Sequence, residues 1–424
     1  MDIRKIASAA LSQMLEAGFD DAQVRVSVQS EDELNIAHDE ASLLRSTEDY
    51  QLALTGIKDS RKAATSITDL ETGAVAEAVR LLAERAALAP RDEANTVSED
   101  QRGDFVQGPQ QSDLKLLTEK TRELLDWRAA NTPRMHLEEG GAAHQRREDI
   151  LLTSRGTELT SSIGCYQLMA MGTAAEGEKS SSLNYAGGVT NDLSKAHAVR
   201  QFGIEAMLRE TEQQIETSSF GSKFVGDAIL APGAVADLLH WLLGQLGDGA
   251  LIANASVYRD RVGEQIASPL LTLASRFDGP GSAPYTGDGC LAPPLEVLTA
   301  GKLNQLLPSL YGSRKTGIAQ VPTGSGWTVA PGGSGLQALV GSIDKGAIIN
   351  RFSMGSPGPN GDFSGVIKNS FRIEGGHRGG ALAETMVSGN MAKMLSSING
   401  VSTEILDLGH EAFPWIKVPG LHFS

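Results

Sequence analysis

The chain has 424 residues, a formal net charge of −15 and a hydrophobic content of 41%. Its length predicts two or three domains, each able to bury its own core. The acidic balance, with no basic run that carries interleaved aromatic residues, argues against direct nucleic-acid binding. Only two cysteines occur, Cys165 and Cys290, which favours a reducing compartment.

The N-terminal segment predicts a folded helix followed by strands. Its first eighteen residues have a helical apolar period interrupted by Asp2 and Glu16, whereas a signal peptide needs an uninterrupted apolar centre. Val24, Val26 and Val28 then alternate with polar residues, as in a strand with one buried face. No apolar run reaches the roughly 18 residues needed to cross a bilayer, so we expect a cytoplasmic protein without membrane contact.

The rest of the N-terminal half alternates between helical and extended patterns. A helix is predicted after Asp69, with an apolar stripe of Val75, Ala78, Val79 and Leu82. Residues 91–113 lose all periodicity and predict an exposed connection. A helix is predicted over 114–130 and strands over 135–185. One amphipathic helix is predicted over 196–214, with Val199, Phe202, Gly203, Ala206 and Met207 on one face. Glycine and serine follow, which predicts an N-terminal domain of residues 1–218 and a C-terminal domain of residues 219–424.

The C-terminal half begins with a strand, GDAILA, and an apolar helix. The stripe of that helix consists of Val235, Leu238, Leu239, Leu242, Leu243 and Leu246. At about 100° per residue, His240 and Gln245 fall on its two outer flanks. Another helix is expected near 384–398, and strands and turns fill the remainder. Helices and adjacent strands without a repeated βαβ order predict an α+β fold with largely antiparallel sheets.

Local catalytic and metal motifs are incomplete. GHEAFPW, residues 409–415, begins like an H-E-x-x-H zinc helix, but Pro414 stands where the second histidine would be, so we expect a polar surface pair before a closing strand. GSGWTVAPGGSG, residues 324–335, lacks the Lys-Ser/Thr ending of a phosphate loop. Ser364 lacks the flanking glycines of a nucleophile elbow and lies in a strand pattern. No two histidines lie three to five residues apart, which leaves only a metal site assembled from distant residues.

Three segments in the C-terminal half resemble the TldD/PmbA family, whose members are also called modulators of DNA gyrase. They are RVGEQIASPLLTL (261–273), GDFSGVIKNSFRIEGG (361–376) and AETMVSGNMAKMLSSI (383–398). Together with the order of the N-terminal elements, they are similar to the PmbA branch, also called TldE. The resemblance implies that TldD-type members are zinc peptidases with H-E-x-x-x-H on the first helix of the C-terminal domain and a helping cysteine near the C-terminus. It also implies that PmbA-type members pair with them and lack the motif.

The matching residues here are HWLLGQ, from His240 to Gln245. By this resemblance, His240 fills the first ligand position, Trp241 replaces the catalytic Glu and Gln245 replaces the second His. No cysteine follows Cys290. A catalytic zinc site needs about three protein ligands and a base for the bound water. We therefore expect no metal, cofactor or catalytic residue in this chain, with zinc only in a TldD-like partner.

Three hypotheses follow for function. The favoured one is a metal-free partner subunit of a TldD-like zinc peptidase that processes unfolded peptides, with the substrate bound as an extended strand. The second is an active peptidase that uses no metal or gathers distant residues such as His240, His377 and Cys290. The third is a structural homodimer without a peptidase partner. Any effect on DNA gyrase would be indirect, through proteolysis of another protein.

Overall fold

A computed structural model describes residues 2–424, so that Met1 lies outside the described part of the chain. The fold is α+β with largely antiparallel sheets, as the sequence predicts. Two sheets divide the molecule: one is built from residues 21–190 and the other from residues 217–423. None of the helices in residues 2–424 is long and apolar enough to cross a membrane.

The first sheet has eight strands and is antiparallel except for one pair. Its strands are β1 (Asp21–Ala37), β2 (Glu40–Lys58), β3 (Arg61–Ile67), β4 (Arg102–Gln107), β5 (Met135–Thr153), β6 (Glu158–Glu176), β7 (Lys179–Ser180) and β8 (Asn184–Thr190). Their order is β3-β2-β1-β5-β6-β4, with β7 and β8 also paired to β6. The parallel pair is β4 with β6. Three long strands, β1, β5 and β6, therefore form the centre of this sheet.

The second sheet has fourteen strands. They are β9 (Thr217–Ser218), β10 (Phe224–Leu230), β11 (Leu273–Ser275), β12 (Glu296–Thr299), β13 (Lys302–Leu303), β14 (Trp327–Val329), β15 (Lys345–Ile349), β16 (Arg351–Met354), β17 (Asp362–Lys368), β18 (Phe371–Glu374), β19 (His377–Leu382), β20 (Thr385–Asn390), β21 (Gly400–Asp407) and β22 (Glu411–Phe423). Four of them, β10, β14, β20 and β21, pair with β22. The strand nearest the C-terminal end of the sequence is thus central to this sheet.

Within residues 2–424, nine α-helices pack on these sheets. They are α1 (Ile3–Glu16), α2 (Thr72–Leu88), α3 (Leu114–Asn131), α4 (Ile204–Gln213), α5 (Pro232–Leu246), α6 (Asp248–Ile252), α7 (Leu310–Thr316), α8 (Leu336–Gly341) and α9 (Met391–Ser397). Aspartates cap α1 and α3: Asp2 accepts a hydrogen bond from the Lys5 N–H, and Asp113 from the Leu116 N–H. Such caps satisfy N–H groups that have no partner within the helix.

Each half has its own buried core. In the N-terminal half, the predicted stripe of α2 packs with α1 and with the alternating valines of β1. In the C-terminal half, the predicted stripe of α5 packs against strands that include β10 and β22. Val235, Leu238, Leu239 and Leu242 are fully buried there. At about 1.5 to 3 kcal/mol for each fully buried aliphatic side chain, this stripe fixes α5 on the sheet.

Residues 91–113 differ from the exposed connection that their composition predicts. They contain β4, which pairs in parallel with β6 from Arg102 to Gln107. Val97 and Ser98 are buried as well. The prediction was wrong because β4 has only two apolar residues, Phe105 and Val106, which are adjacent and give no alternation that a periodicity argument could separate from a loop.

Two helices are shorter than predicted. The segment 196–214 is helical only from Ile204, because Gly203 precedes it with a φ of 75° in the left-handed region. A short 3-10 turn, Ala198–Arg200, comes before it, and Ala206 lies on the exposed face. The segment 384–398 is also split, since β20 occupies its first part and α9 begins only at Met391. In both cases an apolar period continues through a change of backbone conformation.

The two halves contact each other through polar side chains, backbone groups and a small apolar cluster that joins Leu151 and Leu159 to Tyr285. Asp92 accepts hydrogen bonds from the Tyr311 hydroxyl at 2.7 Å and from the Lys315 ammonium at 3.0 Å. The Gln23 amide donates to the Gly287 carbonyl at 3.1 Å. Closer to α5, the Val189 N–H on β8 donates to the Leu408 carbonyl. The loops of the C-terminal half therefore lie over the first sheet.

Candidate functional site

Helix α5 determines where the degenerate motif HWLLGQ points. Pro232 occupies the first turn, where its missing N–H costs nothing, and the strand β10 leads directly into it. Because Leu238, Leu239 and Leu242 are buried, His240 is carried to the outer side of the helix. Its side chain is 56% exposed. Helix α5 packs against β22, so this side of the helix faces the start of that strand.

Among residues 2–424, the His240 imidazole has one hydrogen-bond partner, Glu411 at the start of β22. Its Nε2 lies 2.9 Å from a carboxylate oxygen of Glu411, whose side chain is only 15% exposed. The hydrogen bond to Glu411 raises the pKa of His240, and partial burial opposes it. One turn earlier on α5, burial raises the pKa of Asp237, although the positive charge of His240 lowers it. The imidazole is thus paired with a carboxylate and has a second one nearby.

Trp241, at the position where the resemblance implies a catalytic Glu, is part of the core. The side chain is 9% exposed, and its indole N–H donates to the Gly358 carbonyl at 3.3 Å. The indole ring meets the Tyr258 ring edge-on, with the ring centres 6.1 Å apart. A Cβ at Gly361 would lie 3.0 Å from the indole, so the loop packs closely over it. Trp241 therefore anchors the loop that contains Gly358 and Gly361, and its side chain cannot act as a base.

Gln245, at the position of the second histidine, is also buried, with 8% of its surface exposed. The expectation that it lies on an outer flank of α5 was wrong, because the chain after α6 folds back over this side of the helix. Its side-chain carbonyl accepts a hydrogen bond from the Val257 N–H at 3.1 Å. A buried amide oxygen that satisfies a backbone N–H is not available to a metal without leaving that group unpaired.

The donor set around α5 does not fit a zinc ion. His240 and Glu411 supply two groups of the kinds that zinc takes, whereas a catalytic site needs about three. Across residues 2–424, no group of three His, Cys, Asp or Glu side chains could hold a metal ion. The distant residues His377 and Cys290 do not join His240: His377 is exposed in β19, and the Cys290 thiol is 3.1 Å from the Gln320 amide. Burial raises the pKa of Cys290, which disfavours a thiolate.

Glu411 is the residue that sequence reasoning missed. Within GHEAFPW, His410 is exposed and Glu411 already belongs to β22, so the pair does not precede the strand as expected. Glu411 and His240 are 171 residues apart in the sequence. No local pattern could have shown their contact, because it depends on the parallel and antiparallel order of the second sheet.

The surface beside α5 contains the edge of strand β16. Strand β16 pairs only with β17 within residues 2–424, and Arg351 of β16 stacks over the Tyr185 ring of β8, with 5.1 Å from the guanidinium carbon to the ring centre. Arg351 also donates to the Leu183 carbonyl at 3.3 Å. Strand β8 pairs with β6, but on its other side the Val189 N–H already donates to the Leu408 carbonyl. An unpaired edge presents backbone donors and acceptors to which an extended chain can bind.

Comparisons with known proteins agree with the resemblance found in the sequence. The family model described as the PmbA/TldA metallopeptidase C-terminal domain matches residues 225–424. The Escherichia coli protein named Metalloprotease PmbA is 22% identical over 98% of this chain and 97% of its own length. The crystal structure of TldE from Thermococcus kodakarensis superimposes with a TM-score of 0.82 at 19% identity, covering 99% of this chain and all of that one. A Bacteroides thetaiotaomicron protein, named as a proposed modulator of DNA gyrase, gives a TM-score of 0.85 at 20% identity, covering 100% of this chain and 99% of that one.

Proposed function

Since this chain belongs to the PmbA/TldD family, we propose that it is the metal-free partner subunit of a TldD-like zinc peptidase. Together the two subunits would cleave unfolded peptides, as in the maturation of ribosomally made peptides. Zinc and the catalytic base would come from the partner. We also propose a cytoplasmic location, in keeping with two free, buried thiols.

The observation that carries this proposal is that both replaced motif residues, Trp241 and Gln245, have structural roles. Trp241 holds the loop at Gly358 and Gln245 holds the backbone of Val257. Neither side chain can turn toward His240 without leaving a buried polar group unpaired or emptying part of the core. The helix that carries the zinc motif in TldD-type relatives is therefore built here as a structural element.

Substrate recognition would use a strand edge. The edge of β16 lies beside α5, and an extended peptide added to this edge would be bound through its backbone and not through its sequence. Such binding suits unfolded chains of many sequences. It also explains why a subunit without catalytic groups would be retained, since it lengthens the binding surface available to the peptidase.

The experiment is to co-express this chain with a TldD-like protein from the same genome and to measure association, zinc content and peptidase activity. We expect a heteromeric complex with zinc that depends on the TldD-like subunit. Changing the ligands of that subunit should abolish activity, whereas His240→Ala in this chain should leave the zinc content unchanged. Absence of association at micromolar concentrations would contradict the proposal.

The same measurements distinguish the other two functions. Stoichiometric zinc in this chain alone, lost in His240→Ala, would favour an active peptidase in which Glu411 serves as a further ligand. Self-association without any heteromeric contact would favour a structural homodimer. The pair of His240 and Glu411 is the feature that favours an active peptidase, but it supplies two ligands where a catalytic zinc site needs about three.

A further inference from the structure

A cavity of about 690 Å³ lies between the first sheet and the loops of the C-terminal half. Strands β1 and β5 form its floor, and residues 281–288 and 320–325 form its roof. None of its lining residues belongs to α5 or β22, so it is separate from the surface around His240. Its volume falls within the roughly 300 to 1,000 Å³ typical of clefts for organic ligands.

The floor of this cavity carries an excess positive charge. Arg25 donates two hydrogen bonds to Asp149, at 3.0 and 2.7 Å. Arg147 donates to the same carboxylate at 3.1 Å and to the Ser27 hydroxyl at 3.1 Å. Burial acts to raise the pKa of Asp149, but the hydrogen bonds from Arg25 and Ser27 bring it below its ordinary value. Asp149 is therefore ionised at neutral pH, and one carboxylate is shared by two guanidinium groups.

Both guanidinium groups retain donors for a second carboxylate. Within residues 2–424, the Nη1 atoms of Arg25 and Arg147 have no hydrogen-bond acceptor. The side chain of Arg147 is 44% exposed, and that of Arg25 is 23% exposed. Planar guanidinium groups bind carboxylates through paired N–H donors, which favours a carboxylate over a spherical anion.

The other charged residues that line the cavity do not cancel this excess of positive charge. Lys62 on β3 is exposed and has no ion-pair partner in residues 2–424. Asp288, the second acid of the lining, accepts hydrogen bonds from the Thr286 hydroxyl and, at 3.3 Å, from the Leu310 N–H. Three cations thus face two carboxylates, in a chain whose net charge is −15. A local positive site in an acidic protein attracts an anion selectively.

The roof is suited to a ligand longer than the carboxylate itself. The N–H groups of Thr323 and Gly324 have no acceptor within residues 2–424 and border the cavity. Apolar contacts are available from Ile163, Leu307 and Val321. A peptide end combines these needs, because it has a terminal carboxylate, backbone carbonyls and side chains of moderate size.

We propose that this cavity binds a carboxylate at Arg25 and Arg147, supplied either by the C-terminus of a short peptide or by a small dicarboxylic acid. The ligand carboxylate neutralises the guanidinium that Asp149 leaves unmatched. Lys62 adds a charge at the entrance. This proposal does not depend on the partner role, since it needs only residues of this chain.

The test is calorimetric titration of the full chain with three probes: tetra-alanine with a free carboxylate, tetra-alanine amide and succinate. Three variants are compared with the wild type: Arg147→Gln, Lys62→Met and, as a control, Lys115→Met. Lys115 is an exposed lysine of α3 away from the cavity. In Arg147→Gln the buried Asp149 still has Arg25 as its partner, and Lys62→Met changes no ion pair, so both variants should fold.

We expect the free peptide or succinate to bind and the amide to bind at least about tenfold more weakly, since it lacks the charged group. Arg147→Gln and Lys62→Met should each weaken binding by about tenfold or less, with no change in Lys115→Met. Binding of the free peptide alone would identify the ligand as the C-terminus of a peptide. Binding of succinate alone would identify it as a small dicarboxylic acid. Equal affinity for acid and amide, no binding of any probe at millimolar concentration, or unchanged affinity in both cavity variants would overturn the proposal.

Discussion

Replacing Trp241 by Glu would introduce the residue that the resemblance to TldD-type sequences implies as a base, and we expect this change to destabilise the protein and not to activate it. The indole is 9% exposed and donates to the Gly358 carbonyl. Removing a buried tryptophan side chain costs about 3 to 5 kcal/mol. A carboxylate placed in the same apolar site would be buried without an ion-pair partner, which adds to that cost. The free energy of unfolding of a domain is about 5 to 15 kcal/mol, so the loss would be a large fraction of it.

The assay is urea unfolding of Trp241→Glu, followed by circular dichroism, with zinc content and peptidase activity measured on the same sample. Trp241→Phe keeps a ring and loses only the indole hydrogen bond and some packing, so it should cost about 1 to 2 kcal/mol. Gly244→Glu is the matched control, because it adds the same carboxylate to the exposed face of α5, where a Cβ has no neighbour within 4 Å. The control should be as stable as the wild type or more stable by up to about 1 kcal/mol, because glycine is a poor helix former.

One result would refute this reasoning directly. If Trp241→Glu unfolded within about 1 kcal/mol of the wild type and bound zinc stoichiometrically, Trp241 would not be a structural residue. Helix α5 would then be able to hold zinc despite the burial of Gln245.

The remaining predictions concern protonation and thiol reactivity. Because the pKa of His240 is raised by Glu411, the stabilisation from this pair should be fully present below about pH 6.5, the ordinary pKa of histidine, and should be lost as the pH rises through the raised value. Glu411→Gln should therefore lower stability, by less than about 1 kcal/mol for so exposed a pair, at pH 5.5 and leave it unchanged at pH 9, and NMR titration of the imidazole should show a lower pKa in the variant. Burial raises the pKa of Glu210, although Arg378 lowers it, so ionisation of Glu210 weakens the fold as the pH rises from the unfolded through the folded pKa. Glu210→Gln should thus gain stability relative to the wild type between pH 4 and pH 7 in denaturant titrations; a constant difference across that range would contradict this. Burial raises the pKa of the Cys165 thiol to about 11, so native protein at pH 8 should react with iodoacetamide far more slowly at this residue than urea-unfolded protein does, as peptide mass spectrometry can measure.

The sequence predicts the fold wherever one face of an element is buried and the period is regular. The stripe of α5 and the alternating valines of β1 were correctly assigned for this reason. Prediction failed where the apolar period continued through a change of backbone, as at Gly203, and where a strand such as β4 has only two adjacent apolar residues. Backbone pairing with β6 holds β4 in place, and such pairing leaves no signature in the local sequence.

The candidate site was predicted only in its local part. His240 was correctly expected on the outer side of α5, since helical geometry alone determines that. The burial of Gln245 depends on the loop at Val257, and the partner of His240 comes from a strand 171 residues away. Both facts are tertiary. A motif argument could say which ligands are missing, but it could not say what the replacing residues do.

The central position of β22 has a consequence for biosynthesis. Four strands pair with Glu411–Phe423, so the second sheet lacks its central strand until this segment has left the ribosome. The first sheet, made from residues 21–190, can close much earlier during translation. Until then, the apolar face of α5 remains exposed on the nascent chain, where chaperones would meet it.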